Sequence, residues 1–197
     1  MSGPTIKAVI RSQMKTRISN MSKESITQQS KYIAKQLINM PEFIESKRIG
    51  LYMSTPEEVQ TDELVEHVLT NNKECFIPRY HSLQMEMVKL KSLDDFHNLP
   101  RNKWNIRQPL IKEERENAYL NGGLDLIVTP GLAFTPGGKR LGKGKGYYDR
   151  YLKEMKSFRK TEGKSLFVVG IAFNEQMLDD LFTEEHDYIL DKVIYQK

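Results

Sequence analysis

The sequence predicts an α/β fold, three layers with a mostly parallel sheet and Rossmann-like winding, on three observations. Short apolar runs alternate along the chain with segments of helical periodicity, which is the pattern of successive strand–helix units. A polar loop carrying acids follows the first strand where its carboxyl end would lie, the edge at which open α/β sheets bind ligands. A basic, glycine-rich stretch stands between another such strand and the next helix. At 197 residues, with no Pro/Ser-rich linker and no shift of composition, residues 1–197 are expected to form a single domain.

Ile6, Val9, Ile10, Met14 and Ile18 define a first amphipathic helix, on which Lys7, Arg11 and Lys15 recur every four residues. Like charges so placed repel, and by themselves they read as an ordinary solvated face. Ser22 opens a second helix that carries Ile26, Ile33, Leu37 and Met40 into the core, and Pro41 stops it. Residues 48–54 are then a strand and 61–71 a helix opened by Thr61. Glu58, in the loop between them, reads from its position as an acid at a helix N-terminus, as Asp62 and Glu63 do.

Residues 75–78 form a second strand, in which Cys75 serves as a small hydrophobe; Arg79 and Tyr80 should emerge at its carboxyl end, and 85–90 should pair antiparallel beside it. Residues 91–120 are a polar, proline-interrupted excursion that contains Trp104, suited to stack on an aromatic ligand. Strands follow at 124–130 and 165–171, the second ending at Asn174-Glu175-Gln176-Met177, and a last short strand is expected at 188–190.

Between the strand at 124–130 and the helix marked by Tyr148, Tyr151, Leu152 and Met155 lies Gly137-Gly138-Lys139-Arg140-Leu141-Gly142-Lys143-Gly144-Lys145-Gly146-Tyr147-Tyr148-Asp149-Arg150. Four cations and five glycines lie between Gly137 and Gly146, so backbone can approach a ligand closely while side chains supply positive charge. The following helix would point its free amides and positive end at the same place. This chemistry expects phosphate. Gly144 stands where a Walker A loop needs a Ser or Thr, and Gly142-Lys143-Gly144-Lys145-Gly146 is not the dinucleotide fingerprint, so the loop is neither standard motif. Asp149, in the first helical turn, suits capping or a cation beside the phosphate.

Pro130-Gly131-Leu132-Ala133-Phe134, followed by Arg140 through Asp149, closely resembles the signature of the 5-formyltetrahydrofolate cyclo-ligase (methenyltetrahydrofolate synthetase) family. The resemblance extends in chain order to Lys7 through Arg11, Glu58-Val59-Gln60-Thr61, Ile77-Pro78-Arg79-Tyr80, Trp104-Asn105-Ile106 and His186-Asp187. It implies ATP- and Mg2+-dependent conversion of 5-formyltetrahydrofolate to 5,10-methenyltetrahydrofolate. It further implies that ATP meets Lys7, Arg11, Arg140, Leu141, Gly142, Lys143, Gly144, Lys145, Gly146, Tyr147 and Tyr148, with Arg140, Lys143 and Lys145 neutralising the transferring phosphate. The substrate would meet Met53, Glu58 and Trp104 together with residues 143–147, and Tyr80 either flanks the pterin or packs. Asp149 and Asp187 would hold Mg2+. Arg107 departs from the proline of some relatives, which leaves the path of its loop open.

Composition bounds the alternatives. One cysteine excludes an internal disulfide framework and a Cys-based zinc site. No segment approaches the ~20 apolar residues needed to span a bilayer and no apolar leader opens the chain, so a cytoplasmic protein with no membrane partner is expected. Net charge is +4, yet 26 acids stand against 30 lysines and arginines, which favours a polyanionic small molecule over nucleic acid. A monomer is expected. A small-molecule kinase would use the same loop and an RNA-binding module would share the charge, so both readings stay open at this point.

Overall fold

In the computed structural model, which describes residues 5–81, 84–184 and 187–196, the chain opens with α1 (Ile6–Ser19), capped by the Thr5 hydroxyl, and α2 (Lys23–Ile38), capped by Ser22. Pro41 ends that run by occupying the first turn of the short α3 (Pro41–Glu45). The strands described are β1 (Arg48–Gly50), β2 (Glu74–His81), β3 (Gln84–Lys89), β4 (Leu126–Thr129), the two-residue β5 (Ala133–Phe134) and β6 (Arg140–Leu141), β7 (Phe167–Ile171) and β8 (Lys192–Ile194). Helices α4 (Asp62–Thr70), α5 (Leu93–His97) and α6 (Tyr147–Thr161) complete the regular structure, apart from two single 3-10 turns.

The main sheet has the order β3-β2-β1-β4-β7-β8, parallel throughout except for the antiparallel pair β2–β3. From β1 the chain winds one way to β2, and from β4 it winds the other way to β7 and β8. The order therefore reverses between β1 and β4, and a crevice opens beyond their carboxyl ends. Ile49, Leu51, Leu126, Ile127, Val128 and Val168 are wholly buried, as central strands covered on both faces require. Helices α2 and α4 touch each other and lie against β8 and β2, while α6 lies against β3. Met14 and Ile18 of α1 instead pack with Leu132, Ala133, Leu141 and Leu181 in a satellite cluster on the β5–β6 hairpin, leaving Ile6 and Val9 exposed. That packing sets the cationic face of α1 over the crevice.

Four local expectations change. The strand expected at 48–54 leaves the ladder after Leu51, whose amide bonds the Phe76 carbonyl, so that Tyr52 onward lines the crevice. Arg79 and Tyr80 lie inside β2, which runs on to His81 because β3 continues to pair with it; Pro78 is tolerated since its nitrogen faces the side that β1 has already left. Residues 188–190 are not a strand. Tyr188 and Leu190 are buried around an exposed Ile189, which imitates strand alternation, but the Leu190 amide bonds the Gly138 carbonyl and the ladder begins only at Lys192. The glycine stretch is also divided by β6. Gly137 and Gly138 turn the hairpin, where Gly138 (φ 85°) leaves no room for a Cβ against the Leu190 carbonyl, and only residues 142–146 enter α6 directly.

Candidate active site

The crevice holds a cavity of about 450 Å3. Three strand ends floor it: Tyr52, Met53 and Thr55 after β1, Tyr80 near the end of β2, and Pro130 and Gly131 after β4. The 142–146 loop forms one side. Gly144 (φ 99°) and Gly146 (φ 66°) give it backbone angles that glycine adopts freely, and Gly146, as the N-cap of α6, offers no capping side chain to the amides of the first turn. An uncapped helix start of this kind donates to an anion.

α1 crosses above the loop. The Arg11 Nε donates to the Gly142 carbonyl at 2.9 Å, and its guanidinium lies alongside Gly144. One turn earlier, the Lys7 Nζ pairs with Asp187 at 2.8 Å and Glu184 at 2.9 Å. Burial works against the Lys7 charge, but hydrogen bonds to the two carboxylates and their charges outweigh it and hold its pKa above that of a free lysine. His186, the other half of the expected His-Asp pair, lies outside the described residues.

Opposite α1, Glu58 is held by its own loop: the Thr55 amide donates to Oε2 at 2.9 Å, while the Tyr52 hydroxyl and the Thr61 hydroxyl bond backbone carbonyls across the loop. Its Oε1 accepts Lys143 Nζ at 2.8 Å. This ion pair joins the acidic wall directly to the phosphate-type loop. Thr61 has therefore exchanged the capping role expected of it at α4 for bracing of the Glu58 loop. Burial, reinforced by Glu58, pushes the Tyr80 phenol above its usual range, and burial, Tyr80 and Glu58 do the same to Tyr148, so both remain hydroxyl donors at neutral pH. Tyr147 packs on Tyr80 with ring centres 5.3 Å apart, and Trp104, 53% exposed, stands at the rim.

Arg140 is buried beneath the loop. It is 6% exposed, and its guanidinium donates to the Pro130 carbonyl and, at 2.6 Å, to Asp149 Oδ1. Its charge is thereby answered by Asp149, which it orients in the first turn of α6. Lys143 and Lys145 are exposed, and among the described residues Lys145 makes no ion pair.

A model of the 5-formyltetrahydrofolate cyclo-ligase family matches residues 5–196. The chain belongs to this family. It is 38% identical to the 5-formyltetrahydrofolate cyclo-ligase of Mus musculus, over 96% of this chain and 93% of that one. It is 39% identical to a probable 5-formyltetrahydrofolate cyclo-ligase of Caenorhabditis elegans, over 97% and 93%. Its fold superposes on the 5,10-methenyltetrahydrofolate synthetase of Aquifex aeolicus with a TM-score of 0.76 and 30% identity, covering 96% of this chain and 89% of that one. The expected α/β class and cyclo-ligase identity are borne out by these matches.

Every site residue singled out in the sequence of this cyclo-ligase family member lines the one cavity: Lys7 and Arg11, Met53 and Glu58, Tyr80, Trp104, all of 140–149, and Asp187. Tyr52, Thr55 and Glu184 line it too and were not singled out, as do Ile106, Pro130 and Gly131, which the sequence placed in motifs without giving them a site role. Tyr52 and Thr55 were accessible from their place at a strand's carboxyl end. Glu184 lies in a segment with no periodicity, and nothing in the sequence marks it.

Proposed function

We propose that the protein closes 5-formyltetrahydrofolate to 5,10-methenyltetrahydrofolate with ATP, releasing ADP and phosphate. The observation that carries this is the Lys143–Glu58 contact at 2.8 Å inside a single cavity. A cation of the phosphate loop and a carboxylate suited to the N–H groups of a pterin ring touch, so two ligands bound to them would also touch.

In this reading Glu58 accepts hydrogen bonds from the folate ring, which lies between Trp104, Tyr80 and Tyr147 with Met53 beneath. The ATP phosphates lie on the 142–146 amides with Lys7, Arg11, Lys143 and Lys145 around them. A formamide oxygen is a poor leaving group; once phosphorylated by the γ-phosphate it can be displaced by the neighbouring folate nitrogen. The chain's task is then to align the formyl oxygen with the phosphorus and to stabilise charge on the transferring oxygens. Entry of folate at Glu58 releases Lys143 to the phosphate. The departing phosphate can take the proton that the attacking nitrogen loses, so no side-chain base is required.

Asp149 and Asp187 bring carboxylates to the same cavity from α6 and from the segment before β8, and no group of three metal-type side chains occurs among the described residues. Two carboxylates beside a triphosphate site suit Mg2+, which keeps several waters and takes few protein ligands. When bound, the ion supplies neutralisation of the phosphate charge. Arg140 lines the cavity and orients Asp149 within it. The accompanying proposals are a monomeric, cytoplasmic enzyme with a small-molecule substrate and no nucleic-acid partner; among the described residues no helix is long and apolar enough to cross a membrane.

Incubating purified protein with ATP, Mg2+ and 5-formyltetrahydrofolate tests the proposal. Equal yields of methenyl chromophore and free phosphate are expected. Phosphate retained on a stable organic product would instead make the protein a kinase.

A further inference from the structure

Residues 100–108 project beside the cavity as a turn closed on itself. The Asn102 amide donates to the Ile106 carbonyl at 2.9 Å, and the Asn102 side chain accepts from the amides of Trp104 and Ile106. Trp104 and Ile106 reach the cavity from this turn. Its internal bonds set its shape, but how far it stands from the opposite wall depends on how its base is fastened.

Ile106 packs against the main core, and among the described residues two polar fastenings are added to it. Gln108 bonds the backbone of Tyr80 at 3.4 and 3.5 Å, the long end of the hydrogen-bonding range. Arg107 is the firmer one: its guanidinium forms an ion pair with Asp62 and lies 4.4 Å from the centre of the buried Phe96 ring, with its side chain 16% exposed. Asp62 is the first residue of α4, which follows directly on the loop that holds Glu58. One planar cation thus joins the turn bearing Trp104 to the helix start adjoining Glu58, using both its fork and its face.

We propose that Arg107 is a positioning residue for folate, fixing the gap between the Trp104–Ile106 turn and the Glu58 loop so that the bound ring system is gripped between them. This rests on the folate placement proposed above. Among the described residues the side chain of Arg107 pairs with Asp62 and Phe96 and not with the 142–146 loop, so binding of ATP should be little changed by its loss. Without it the turn keeps its internal bonds and is held only by the packing of Ile106 and the weak Gln108 contacts.

Trp104 is the only tryptophan, so its fluorescence reports on this turn alone. In the unaltered protein, titration with 5-formyltetrahydrofolate in the absence of ATP is expected to change Trp104 emission. Arg107→Ala should lower the anisotropy of Trp104 and raise KM for 5-formyltetrahydrofolate roughly tenfold, with kcat and KM for ATP within about twofold. Arg107→Lys should recover part of the loss. Asp62→Asn, at an exposed helix start, should reproduce the Arg107→Ala effect and replaces that variant if it does not fold. Wild-type anisotropy and folate KM in these variants would overturn the proposal, as would equal rises in KM for folate and ATP. Absence of any Trp104 response to folate in the unaltered protein would overturn the folate placement, and the proposal with it.

Discussion

Lys145 differs from Lys7 and Lys143 in having no carboxylate partner among the described residues, whereas those two are paired with acids. An exposed cation without an ion pair to hold it is available to a ligand and contributes little to the fold. Lys145→Ala should therefore leave circular dichroism and melting temperature unchanged while raising KM for ATP by roughly 10- to 100-fold, the loss of one charge-assisted phosphate contact of about 1.5–3 kcal/mol. An ATP dependence equal to that of the unaltered enzyme would remove Lys145 from the site. Glu58 is the converse case, since its two oxygens are committed to Thr55 and Lys143. Glu58→Gln keeps its shape and exchanges an acceptor for a donor. Affinity for 5-formyltetrahydrofolate should fall roughly tenfold with little change for ATP, and calorimetric titration of each ligand separately checks this. Equal losses would mark Glu58 as a general brace for its loop.

At the scale of elements, the excursion between β3 and β4 is fastened by carboxylates. For Asp95, burial raises the pKa but hydrogen bonds from Arg115 and the Lys91 amide, with their charges, outweigh it and hold it below the usual value. Glu113 is lowered chiefly by its hydrogen bond with Lys91, and Glu116, despite burial, by Arg48 and Asn121. All three bind protons more weakly folded than unfolded, so their stabilisation is complete above about pH 5 and is lost as pH falls through the lowered values. The excursion carries Trp104. Its emission should therefore shift to the red in acid before the near-ultraviolet dichroism of the remaining core is lost; simultaneous transitions would show that the excursion unfolds only with the whole domain. The sequence of this element showed polarity and interrupted periodicity but not the arginine–carboxylate pairing, because Asp95 and Arg115 meet only when the excursion folds back on itself, and Glu116 reaches Arg48 only when it lies against β1.

At the scale of the whole molecule, Asp149 and Asp187, distant in sequence, enter one cavity side by side, the Tyr188 amide donating to Asp149 Oδ1 at 3.4 Å, with Asp149 held by Arg140 and Asp187 by Lys7. If both serve one Mg2+ ion, Asp149→Asn and Asp187→Asn should each raise the Mg2+ concentration for half-maximal turnover, and the double variant should fall well short of the product of the two effects. Isothermal titration of Mg2+ in the presence of a non-hydrolysable ATP analogue gives the same comparison without turnover. A wild-type Mg2+ dependence in Asp187→Asn would leave Asp149 as the only protein ligand.

Much of this site is legible from local order. The run from Arg140 to Asp149 is contiguous, so glycine freedom, cation density and the start of α6 act within a few residues of one another and need no distant contact to be read. The alternation of apolar runs and helical periods is local in the same sense, and it suffices for an α/β sheet. Tertiary structure alone decided the rest. Residues 188–190 carry strand-like alternation but are captured by Gly138; Arg140 carries a charge that Asp149 answers; Thr61 looks like a cap and braces Tyr52. In each case the side chain's partner lies elsewhere in the chain or around a turn, and the energy of a hydrogen bond or ion pair depends on that partner and on burial, neither of which residue type and spacing contain.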